Sequence, residues 1–133
     1  AIETAIAMRL EVDQFVEGLG YLPDEANAEV GFPSPFARVS RAVAANGPAA
    51  RFAEAQAALW RSLAMQMPDG ERMLIVSHGL IVELGAVASL PDADHSAWGD
   101  AIGYCEGVRL SYEGDLTRGE LLRLPAAHRL IEN

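Results

Sequence analysis

The sequence predicts an α/β protein whose helices pack on a sheet, and two observations carry that expectation. Met73 to Val76 is an unbroken apolar run, the pattern of a central parallel strand covered on both faces, and it leads through Ser77-His78-Gly79 directly into an apolar helix. Strand, tight turn and helix make half of a βαβ unit. Further along, Val108, Leu110 and Tyr112 alternate with Arg109, Ser111 and Glu113. Glu120 to Leu124 then offers a partner strand after a turn that begins at Glu113-Gly-Asp115.

The remaining elements follow in chain order. Ala1 to Met8 reads as helix, with Ile2, Ala5, Ile6 and Leu10 on one side and no capping residue before it. The chain is therefore expected to begin mid-helix, with an upstream portion either removed from the protein or simply not included in this sequence. Gly18, Gly20, Pro23, Gly31, Pro33 and Pro35 break regularity between Glu11 and Pro35, which predicts a long surface loop with a short helix at most. Ser34 can cap a helix with Pro35 at its first position, on which Phe36, Val39 and Val43 share a face until Asn46-Gly47 ends it. Pro48 starts a second helix bearing Phe52, Leu59, Leu63 and Met67 at helical spacing, with Trp60 beside them, which stops before Pro68-Asp69-Gly70. Leu80 to Leu90 forms the apolar helix, closed by Pro91, and Pro125 to Asn133 is left without an element.

Composition narrows the function. At 133 residues and half apolar, the chain can bury one core, so residues 1–133 are expected to form a single domain. A net charge of -9 repels nucleic acid and anionic membrane surfaces, leaving a small polar ligand or another protein as partner. The only cysteine, Cys105, cannot form an intrachain disulfide, which fits a reducing cytoplasm. No run approaches the roughly 20 apolar residues of a membrane span, and no signal peptide is evident, so a soluble protein is expected.

The candidate chemistry lies at the end of the predicted strand. In open α/β sheets ligands bind beyond the strands' carboxyl ends, where Ser77, His78 and Gly79 stand. The following helix would aim free amides and roughly half a positive charge at an anion, and Gly79 would let backbone approach it without a Cβ in the way. His78 adds side-chain donors. Its bland alternative is a strand-end histidine bonded to a neighbouring carbonyl.

Val-Ser-His-Gly on an apolar strand, followed by an apolar helix, resembles the second histidine motif of the histidine phosphatase superfamily, the phosphoglycerate-mutase-like proteins. Ala1-Ile-Glu-Thr-Ala5 resembles the remainder of that family's Arg-Ala-x-x-Thr-Ala helix, and Ile102-Gly-Tyr-Cys-Glu-Gly-Val-Arg-Leu-Ser-Tyr112 resembles the strand after the second-histidine helix. The resemblance implies a three-layer α/β/α sandwich with a mostly parallel central sheet, here lacking the N-terminal strand and part of the first helix. It also implies a nucleophilic histidine in an Arg-His-Gly motif, which occurs nowhere in this sequence. His78 would then stabilise the transferring phosphoryl group, as cationic groups around the equatorial oxygens do. In one branch of the family the general acid directly follows the second histidine; Gly79 excludes that branch. In the other it comes from the segment upstream, which points to Glu25 and Glu29, with Glu29 preferred of the two and ordinary solvated carboxylates as the plain alternative.

Other groups carry less. Asp92, Asp94 and His95 lie close together but read as a solvated loop, and no metal site or cofactor is expected. Ser77 lacks the Gly-x-Ser-x-Gly elbow, since Ile75 stands where the first glycine would be. Glu83 reads as a partly exposed residue favoured by the helix dipole, Trp60, Trp98 and Tyr104 as packing, and His128 as surface. The leading expectation is a cofactor-independent phosphomonoesterase acting through a phosphohistidine on a small phosphorylated substrate or phosphoprotein, with room for a homodimer. The alternative is a non-catalytic phosphate-binding or regulatory module that lacks the nucleophile.

Overall fold

The computed structural model describes residues 1–131, and the last two residues of the predicted tail lie outside them. Five α-helices run in chain order: α1 (Ile2–Ala7), α2 (Asp24–Val30), α3 (Phe36–Ala44), α4 (Pro48–Met65) and α5 (Ile81–Ser89). A hairpin of β1 (Gly107–Glu113) and β2 (Leu116–Leu122) follows, and single 3-10 turns lie at Glu17–Leu19, His95–Trp98 and Ala126–His128.

Helix α5 is the centre. It is apolar nearly all round and buries Ile81, Leu84, Ala86 and Val87, as a helix enclosed by other elements must. Its broadest partner is α4, with α3 against another side and β1 beyond. The side of α4 that faces inward is the stripe Ala49, Ala53, Gln56, Trp60 and Leu63, with Phe52 and Leu59 only half-buried. That stripe is turned from the predicted one because small residues permit close helix approach. Trp60 lies so close to α5 that a Cβ on Gly85 would strike its ring. Val30, Phe36, Val39, Leu80 and Ile102 complete the core.

The expected three-layer sandwich with a mostly parallel sheet is not what forms. Among the described residues the only sheet is the two-stranded antiparallel hairpin, registered Gly107↔Leu122 through Glu113↔Leu116. Its turn places Gly114 at φ 60°, which suits a tight two-residue hairpin connection. The second strand thus begins four residues before the predicted Glu120.

The decisive misreading is Met73 to Val76, which is not a strand and has no backbone partner among the described residues. Instead this segment runs over the surface of the core: Ile75 packs against it, while Met73 and Leu74 are 41% and 57% exposed. A short apolar run shows that a segment meets a core, but pairing depends on a neighbouring strand that the run itself does not specify.

Smaller departures have similar causes. Ser34 does not cap α3; its hydroxyl donates to the Val30 carbonyl at 3.1 Å, closing the end of α2. In α1 only Ala5 of the predicted face is buried, and Ile2 and Ile6 are exposed. No helix among the described residues is long and apolar enough to cross a membrane.

Candidate functional site

Ser77, His78 and Gly79 form the approach to α5, and three contacts fix them. The Ser77 hydroxyl donates to the Leu19 carbonyl at 2.5 Å, tying the segment to the 3-10 turn Glu17–Leu19. Gln56 Nε2 of α4 donates to the Gly18 carbonyl at 2.6 Å, so that turn is itself held from behind. At the other end, a Cβ on Gly79 would lie 2.5 Å from Cε2 of Phe32. Gly79 is therefore required by an aromatic ring packed against its backbone, which is a different use of glycine from the anion approach the sequence suggests.

The third contact is Leu80, a buried residue at φ 67°, a backbone conformation that costs a non-glycine residue on the order of 1–3 kcal/mol. Its N–H donates to Glu83 Oε2 at 2.6 Å, and the other oxygen, Oε1, accepts from the Ile102 N–H at 3.0 Å. Glu83 is only 1% exposed, so the expectation of a partly exposed glutamate is corrected. Burial pushes its carboxyl above the usual carboxylate range, while the amides it accepts from and the field of Arg123 pull the other way. Glu83 makes only the returning half of a capping box, to the Leu80 N–H; Leu80 has no side-chain oxygen for the other half, so the sequence does not announce it.

His78 is exposed, and its carbonyl receives the Val82 N–H at 3.2 Å, so the backbone of His78 joins the first turn of α5. The imidazole has no hydrogen-bond or ion-pair partner among the described residues. The carbonyl-bonded histidine of the bland reading is thus not observed. The helix end, however, is already partly taken, since the Glu83 carboxyl accepts from the Leu80 amide where a free donor was expected.

The two candidate acids separate. Glu29 accepts from the Ala49 N–H at 2.7 Å and packs against Gly47, which makes its carboxylate the cap of α4. Glu25 is exposed in the first turn of α2 and has no partner among the described residues. Both ends of the segment carrying α2 are tied to the His78 turn, through Leu19 at Ser77 and Phe32 at Gly79.

A second buried carboxylate lies at the open end of the hairpin and was not foreseen. Glu106, with its side chain fully buried, accepts from Arg123 at 2.9 Å, from Arg129 at 2.8 Å and from the amides of Gly103 and Leu124. Burial opposes its ionisation, but Arg129, Arg123 and those amides outweigh it and hold the carboxyl at about 2. Arg123 also donates to the carbonyls of Trp98, Asp100 and Ala101, so one guanidinium fastens that whole loop.

The remaining candidates are dispersed. His95 is buried, with Nδ1 3.2 Å from the Ser40 hydroxyl and its ring edge-on to Trp98. Asp94 accepts from Ser96, whose hydroxyl holds its carboxyl below the ordinary range. Among the described residues no group of three or more His, Cys, Asp or Glu could hold a metal ion. Two surface depressions, one along Arg109, Ser111, Arg118 and Glu120 and one along Pro33, Pro35, Asp100 and Ala101, do not include His78. No family model matches the chain, and neither a curated protein nor a solved structure matches it.

Proposed function

We propose that the His78 turn is the phosphate-binding half of a phosphomonoesterase that works through a phosphohistidine. The observation that carries this reading is an exposed, unpartnered imidazole on a turn immobilised by Leu19, Phe32 and Glu83. An exposed donor carried on an anchored turn suits an anionic group whose charge must be stabilised during transfer. The substrate is a small phosphorylated molecule or a phosphoprotein.

In this reaction a histidine nitrogen forms a bond to phosphorus as the ester oxygen leaves, a carboxylic acid protonates that oxygen, and water then releases phosphate from the histidine. This reading requires a nucleophilic histidine in an Arg-His-Gly motif, which residues 1–133 do not contain. Glu25 takes the role of acid in preference to Glu29, whose carboxylate is occupied by the Ala49 amide. The absence of Arg-His-Gly from these residues favours a second reading, a phosphate-binding module without catalysis.

The test is hydrolysis of an aryl phosphate by the full-length protein, with acid-labile phosphoenzyme trapped by rapid quench. His78→Ala should lower turnover by roughly a hundredfold or more. Unchanged turnover removes His78 from the mechanism; phosphate binding without turnover or phosphoenzyme selects the module.

A further inference from the structure

We infer that Glu83 is the positioning residue of the His78 turn, a buried carboxylate bridge that holds the turn and the Ala101–Gly103 loop in fixed register. This rests on the reading of His78 as a phosphate ligand and adds to it the residue that determines how His78 is presented.

Leu80 stands at φ 67° and ψ -39°, outside the ordinary conformations of a side-chain-bearing residue, and it directly follows His78 and Gly79. Such a conformation persists only where its surroundings over-determine it. Here the Leu80 side chain is in the core and its N–H is bound at 2.6 Å by Glu83 Oε2. The second oxygen reaches Ile102, nineteen residues on in the chain, at 3.0 Å. One carboxylate therefore spans two segments that have no other hydrogen bond to each other among the described residues.

Its placement also determines where a phosphate is received. Glu83 lies in the first turn of α5, and its carboxyl takes the Leu80 amide that a phosphate would otherwise reach. A phosphate is consequently met by the His78 imidazole on the outer side of the turn, and the amide of Leu80 is closed to it. Glu83 touches neither ligand nor solvent, so its effect is exerted wholly through the turn.

The experiment combines amide NMR with phosphate titration of the full-length protein. In Glu83→Gln the carboxamide keeps one acceptor oxygen in place of two, so either Leu80 or Ile102 loses its acceptor. The Gly79 and Leu80 signals should shift and exchange faster with solvent while those of the β1–β2 hairpin stay in place. Inorganic phosphate should bind at least about tenfold more weakly. Unchanged Gly79 and Leu80 signals, or phosphate affinity within twofold in the folded variant, would overturn the inference. If the unmodified protein does not bind phosphate at His78, the phosphatase reading fails, and the amide signals alone decide the role of Glu83. If Glu83→Gln does not fold, the unmodified protein supplies the readout: the Leu80 and Ile102 amides should titrate together with the Glu83 carboxyl. Independent titration rejects the bridge.

Discussion

Glu83 and Glu106 stand on either side of the Ala101–Gly103 loop, and they solve the same problem in opposite ways. Each takes a backbone N–H from that loop, Glu83 from Ile102 and Glu106 from Gly103. Glu106 is met by two guanidinium groups and ionises far more readily than a free carboxyl. Glu83 has no cation in contact, only amides and the more distant field of Arg123, and burial raises its carboxyl. The contrast teaches that a buried carboxylate lends stability through its cations, whereas one held by amides alone fixes geometry at a cost in stability.

The largest expected effect is at the paired site. Glu106→Gln removes the partner of Arg123 and Arg129 together, and a loss of about 3 kcal/mol is expected in denaturant unfolding. Glu83→Gln should lose about 1–2 kcal/mol, since a neutral carboxamide still satisfies one amide. A larger loss at Glu83 than at Glu106 would break the comparison.

The pH dependence sharpens it. The folded carboxyl of Glu106 is held down to about 2, below its ordinary 4.5, so its contribution is fully present above about 4.5 and is lost as pH falls towards 2. Glu83 has its folded carboxyl raised, so its contribution is greatest below its unfolded value and is lost as pH rises through the folded one. Unfolding curves of the two glutamine variants against the unmodified protein should therefore diverge in opposite senses across the acid range.

Gly79→Ala forces a Cβ against Phe32 and should destabilise by about 1–3 kcal/mol, with Phe32→Leu relieving much of it. Glu29→Ala removes the cap of α4 and should cost about 1 kcal/mol, whereas Glu25→Ala should leave stability unchanged and lower turnover. The exposed pair Arg109–Glu120 gives the smallest effect, with Glu120→Ala expected within about 0.5 kcal/mol.

Much of the helical layout was legible. The face of α3 with Phe36 and Val39, proline at the start of α4, the apolar α5 and the hairpin turn at Gly114 all follow local rules of periodicity and punctuation. The Met73–Val76 strand failed because pairing is a property of two segments. Of the candidate residues, His78 stands at the head of an apolar helix, as the sequence places it, but its exposure was not legible there. Glu29 was misplaced because nothing in its neighbourhood announces that Ala49, twenty residues later, needs a cap.

By itself the sequence determined which segments are helical, which residues are apolar enough to enclose α5, and that a histidine precedes it. Only the tertiary structure decided that Gly79 yields to Phe32, that Glu29 serves α4, and that Glu83 and Glu106 face each other across one loop with different partners. The physical reason is distance along the chain. Periodicity and capping act over a few residues, while the contacts that set charge and strain at the His78 turn join positions tens of residues apart.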